Sequence, residues 1–71
     1  MNIDFIRSLR SYAKLTQTQM AKILNISTTS YNKKENGKVP FTLEEIKTLS
    51  EYFNVPIENF FKEKVFKTNT N

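Results

Sequence analysis

The chain of 71 residues contains no cysteine, no histidine and a single glycine. Without cysteine it can build no disulfide framework, no thiolate nucleophile and no cysteine metal site. Without an imidazole, Ser-His-Asp and Cys-His catalysis are excluded. Zinc would be left with carboxylates alone, whereas structural zinc sites are built from Cys and His. One glycine also cannot make a Gly-rich phosphate loop, so the reading is of a protein that is not an enzyme and carries no cofactor and no metal. The start, Met1-Asn2-Ile3-Asp4, lacks the basic and apolar regions of a signal peptide. No apolar stretch approaches the ~18 residues of a membrane span. A cytoplasmic protein with no membrane partner is the expectation. Apolar residues make up 38% of the chain. That is lean for a monomer, since a core of this size rarely supplies more than ~3–5 kcal/mol, and it favours a homodimer.

The net charge of +4 is uneven. Residues 1–40 carry Arg7, Arg10, Lys14, Lys22, Lys33, Lys34 and Lys38 against Asp4 and Glu35, a net of +5. Residues 41–71 carry Lys47, Lys62, Lys64 and Lys67 against Glu44, Glu45, Glu51, Glu58 and Glu63, a net of −1. A basic front half suits a polyanion, although a solvated mixed-charge surface reads the same way.

What is present is helical. Ile6, Leu9 and Ala13, with Phe5 and Tyr12 beside them, repeat at helical spacing and predict a first helix over about 3–13. Thr16-Gln17-Thr18-Gln19 is a capping box for a second helix with Met20, Ala21 and Leu24 on one face, ending near Asn25. Asn25 tolerates the left-handed backbone of a tight turn. Ser27 caps a third helix over about 28–36, and Gly37 stands where a helix terminator is wanted. A second capping box, Thr42-Leu43-Glu44-Glu45, opens a fourth helix with a stripe of Leu43, Ile46, Leu49 and Phe53. Asn54 and Pro56 break it, and a short fifth helix runs from about Pro56 to Phe61. The expected fold is an all-α bundle of about five short helices occupying residues 1–66, followed by a polar tail, 67–71.

The turn around Asn25 is three or four residues long, the geometry of a helix-turn-helix. A steep crossing needs a small residue, Ala21, and apolar anchors, Met20, Leu24, Ile26 and Tyr31. On the third helix, Thr28, Thr29, Asn32, Lys33 and Asn36 share one polar face without an acid, while Tyr31 and Glu35 take the opposite side. Asn can pair with adenine, Lys with guanine, and Thr can bond a base edge or touch the thymine methyl. An ordinary solvated helix face would instead be expected to hold Glu–Lys pairs.

Residues 15–37, LTQTQMAKILNISTTSYNKKENG, resemble the helix-turn-helix of the lambda-repressor-like, Cro and XRE family. Leu15, Thr16, Gln17, Ala21, Leu24, Ser27, Glu35 and Gly37 match the family pattern, and Met20, Asn25, Ile26 and Tyr31 are conservative replacements. The similarity extends over about 3–61, and the run from Tyr31 to Glu45 is similar to repressors of temperate phages and mobile elements of low-GC Gram-positive bacteria. One position departs: Lys34 stands where the family is usually apolar. Either its stem packs with the ammonium reaching outward, or the helix sits differently.

The resemblance implies a sequence-specific regulator of double-stranded DNA, a repressor acting as a dimer on an inverted-repeat operator with the third helix in the major groove. Thr28, Thr29, Asn32 and Lys33 are then the base-contacting candidates. Thr16 and Gln17, at a helix start that favours phosphate, together with Ser27, Asn36 and Lys38, are the phosphate-contacting candidates. Lys14, Lys22 and Lys34 add charge without specificity. Arg10 and Glu35 are implied to pair as a structural bridge. Phe60 and Phe61 are adjacent and cannot both face one core, so Ile57, Phe60, Phe61, Val65 and Phe66 are the dimerisation candidates. The alternative is an antitoxin or other protein-interaction module, holding a toxin or antagonist through the fourth and fifth helices and the tail, with DNA binding secondary.

Overall fold

The computed structural model describes residues 1–62. Helix α1 (Ile3–Tyr12) begins where the Asn2 side chain accepts from the Phe5 amide. Helix α2 (Gln17–Leu24) opens on the complete capping box: the Thr16 hydroxyl accepts from the Gln19 amide and the Gln19 side chain accepts from the Thr16 amide. Helix α3 (Thr28–Glu35) is capped by Ser27, whose hydroxyl accepts from the Ser30 amide. Helix α4 (Leu43–Phe53) repeats the capping box with Thr42 and Glu45. Each such cap is worth ~1 kcal/mol. Asn25 and Asn54 end α2 and α4 in the left-handed conformation, at φ 60° and 56°.

The fifth element is a 3₁₀ turn, Ile57–Phe60, rather than an α-helix. Pro56 has no amide to donate, and four residues are too few to establish an α-helical ladder. The turn closes with i to i+3 bonds from Asn59 to Pro56 and from Phe61 to Glu58. No strand occurs among the described residues, and none of their helices is long and apolar enough to cross a membrane.

The core gathers Ile6, Met20, Ala21, Leu24, Tyr31, Phe41, Ile46, Leu49 and Phe60. Ala21, 1% exposed, lies in the closely packed α2–α3 unit. Three apolar positions depart from the expected stripes. Tyr12 is 91% exposed and Leu43 is 65% exposed, each at the end of its helix where the stripe runs off the core. Ala13 is likewise exposed.

Phe60 corrects the pairing expected with Phe61. It is fully buried and meets Phe5 edge-on, with ring centroids 5.0 Å apart, so it is a core residue and not a candidate for a dimer surface. Phe61 points outward at 48% exposed, and Ile57 is half-buried against the core. Val65, Phe66 and the 67–71 tail lie outside the described residues.

Candidate nucleic-acid interface

The polar face of α3 forms because its apolar complement is so short. Only Tyr31, Lys34 and Glu35 of this helix are buried, and two of those three are charged. Thr29 and Lys33 are exposed, Thr28 and Asn32 are half-buried, and Asn36 and Lys38 are exposed just beyond the helix end. Thr28 donates its hydroxyl to the Thr18 hydroxyl at 3.3 Å, joining the starts of α2 and α3. Ser27 and Thr16 each use an oxygen lone pair as a cap, which leaves the hydroxyl proton available to an external acceptor. Sequence spacing therefore places Thr28, Thr29, Asn32, Lys33 and Asn36 together on one surface, with Ser27 and Lys38 at its ends.

Behind that surface Glu35 is a buried hub, its side chain 2% exposed. Arg10 grips it with Nε at 3.2 and 3.3 Å from the two carboxylate oxygens and Nη2 at 2.9 Å from Oε2. Its Nη1 also donates to the Leu15 carbonyl, so one guanidinium ties α1, the α1–α2 turn and α3. Hydrogen bonding to Glu35 raises the Arg10 pKa further, against the lowering effect of burial. Gln17 donates Nε2 to Glu35 Oε1 at 3.2 Å. The Gln17 side chain is thus engaged inward, towards Glu35 and not towards the outer surface where a phosphate contact was expected of it.

Two features were not legible in the sequence as functional contacts. Arg7 donates Nη2 to the backbone carbonyl of Glu35 at 3.3 Å and holds Asp4 at 2.8 Å. Its place three residues before Arg10, on the same face of α1, was the available signal. Lys34 corrects both expectations about it. Its ammonium neither reaches into solvent nor adds loose charge, but meets both Glu45 oxygens at 2.7 and 2.8 Å, with the two side chains only 11% and 13% exposed. Glu45 also accepts from the Thr42 amide, so the pair fastens the end of α3 to the start of α4.

The Tyr31 ring packs edge-on to Phe41, centroids 6.0 Å apart, anchoring α3 to the loop before α4. Its hydroxyl is buried with no hydrogen-bond partner among the described residues. Burial, then the negative charge of Glu35, raises the pKa of this phenol well above its ordinary value, with Arg10 opposing.

The profile of the Helix-turn-helix family matches residues 6–60. The HTH-type transcriptional activator BcrR of Enterococcus faecalis is 38% identical over 53 residues, which is 75% of this chain and 26% of that protein. A transcriptional regulator from Listeria innocua has the same fold, with a TM-score of 0.79 over 94% of this chain and 64% of its own, at 19% identity. The chain thus spans about a quarter of the Enterococcus relative and under two thirds of the Listeria one.

Proposed function

Because the chain belongs to the helix-turn-helix family, whose members are DNA-binding transcriptional regulators, we propose that it binds double-stranded DNA with α3 in the major groove. The observation that carries this reading is the acid-free face of α3, mounted on a helix whose only acid is withdrawn into the core by Arg10. Thr28, Thr29, Asn32 and Lys33 contact bases. Thr16, Ser27, Asn36, Lys38 and the amide at Gln17 contact phosphates and set the register.

A dimer places two such helices about 34 Å apart, so the operator is an inverted repeat. The exposed Phe61, with the half-buried Ile57, is the apolar end available for that contact. Phe61→Asp lowers the dimer fraction in sedimentation; an unchanged distribution removes this face from consideration. Bound to its operator, the protein represses by occlusion. Similarity to a protein named as an activator makes activation the competing outcome, and a reporter carrying the operator upstream of a promoter decides the sign.

Selection from random DNA tests the reading directly. A palindromic preferred site is expected, and Asn32→Ala or Lys33→Ala should relax preference at particular positions at a cost of ~1–3 kcal/mol each. Wild-type sequence preference in both variants would show that α3 is not the reader.

A further inference from the structure

The Thr18 side chain takes no part in the capping box that surrounds it. Thr16 and Gln19 close that box between them, and Thr18 stands exposed in the first turn of α2. Its one side-chain hydrogen bond among the described residues is with Thr28, the first residue of α3, whose Oγ1 donates to Thr18 Oγ1 at 3.3 Å. The bond spans ten residues of sequence and joins the two helices of the motif at their starts.

A hydroxyl carries one proton and two lone pairs. Thr28 commits its proton to Thr18, so towards a ligand it is an acceptor. Thr18 keeps its own proton, for which there is no acceptor among the described residues. The pair therefore presents one donor on α2 and one acceptor on α3. A DNA surface offers the complement of each. Phosphate oxygens can only accept, so a phosphate at Thr18 fixes the order of both protons, and each bond of such a chain strengthens the next. In the major groove the donors are the exocyclic amines of adenine and cytosine, where thymine and guanine carry oxygens.

We propose that Thr18 sets base preference through Thr28. A phosphate accepts the Thr18 proton, Thr18 accepts the Thr28 proton, and Thr28 accepts from the amine of an adenine or cytosine. The proposal rests on the reading that α3 lies in the major groove. It makes Thr18 a positioning residue for the reading face, selecting amino bases over keto bases on the strand that Thr28 meets. Valine at position 18 keeps the shape of the side chain but removes the acceptor. Thr28 can then turn its proton outward, and the selection lapses.

Site selection from random DNA with wild type and Thr28→Val identifies the base pair that residue 28 meets, as the position whose preference changes. Defined duplexes then carry purine for adenine, or pyrimidinone for cytosine, at that pair, which deletes the amine. Wild type should lose about fivefold more affinity than Thr18→Val does, the worth of one hydrogen bond. The comparison cancels any weakening of the duplex itself. Thr18→Ser, which restores the hydroxyl, should behave as wild type, and all variants should keep the wild-type denaturation midpoint. Equal losses in wild type and Thr18→Val would overturn the proposal, since the amine would then be read without Thr18. So would an amine that costs wild type nothing, or a Thr28→Val variant with unchanged preference at every position. If those results come with preferences that still respond to Asn32→Ala or Lys33→Ala, only the threonine pair is removed from the account. Absence of any preferred site would overturn the reading of α3 and this proposal together.

Discussion

Helices α3 and α4 are neighbours fastened by opposite means. α4 buries Ile46 and Leu49 and is held mainly by apolar contact, with the Glu45–Lys34 pair at its acid-rich start as its tie to α3. α3 buries one aromatic ring and two charges, and its position depends on Arg10, Gln17, Arg7 and Glu45 reaching it from other elements. Apolar burial is tolerant of orientation, while carboxylate–guanidinium geometry is directional. A helix whose outer face must meet a groove in a defined register gains from the second arrangement, at some cost in stability.

The contrast can be broken at α4 first. Leu49→Ala, at a fully buried site, should cost about 4 kcal/mol in chemical denaturation. DNA affinity should fall only in proportion to the unfolded fraction. Glu35→Ala should cost somewhat less, about 3 kcal/mol, because Arg10 at 24% exposed can recover some water. Here DNA binding should fall by more than unfolding explains, since α3 loses its directional ties; a loss that tracks stability alone would reduce Glu35 to a packing residue.

The double variant Lys34→Met with Glu45→Gln tests whether every ionic contact on α3 matters alike. Removing both charges of a buried pair is often close to neutral, so stability should stay within about 1 kcal/mol. The side-chain amide introduced at position 45 can still accept from the Thr42 backbone, so the cap of α4 survives the change. The smallest effect is expected from Tyr31→Phe, which deletes a hydroxyl with no partner and should leave neutral-pH stability nearly unchanged. Its signature is at alkaline pH. The folded phenol holds its proton beyond the pKa of about 10 of an unfolded tyrosine. The stability linked to it is therefore complete below that pH and is lost as pH rises above it. Comparing denaturation midpoints across pH 9–11 (roughly one unit either side of that reference) should show a shallower alkaline decline for Tyr31→Phe than for wild type.

Elements whose chemistry is local were legible before any coordinates. The capping boxes at Thr16 and Thr42, the cap at Ser27 and the left-handed Asn25 are decided by residues within four positions of one another, and the structure places them where their spacing predicts. Choices settled at a distance were not. Nothing near Phe60 and Phe61 says which turns inward; Phe5, at the other end of the chain, decides it. Lys34 reads as a loose cation until Glu45 arrives across a helix boundary. Tyr12 and Leu43 obey helical periodicity, but periodicity does not say where a helix leaves the core. The α3 surface is intermediate: its shared face followed from spacing, while the inward hold on Gln17 depended on Glu35, 18 residues away.

The internal use of Arg10 and Lys34 also shapes how the protein should respond to salt. Of the basic residues in the first 40, Lys14, Lys22, Lys33 and Lys38 are exposed with no carboxylate partner among the described residues. If each displaces one condensed counterion, these four together contribute a slope of about 3–4 per protomer to the fall of the logarithm of the DNA association constant with the logarithm of salt concentration. Arg10 and Lys34 count in the formal charge but release no ions, because their counterions are already part of the protein.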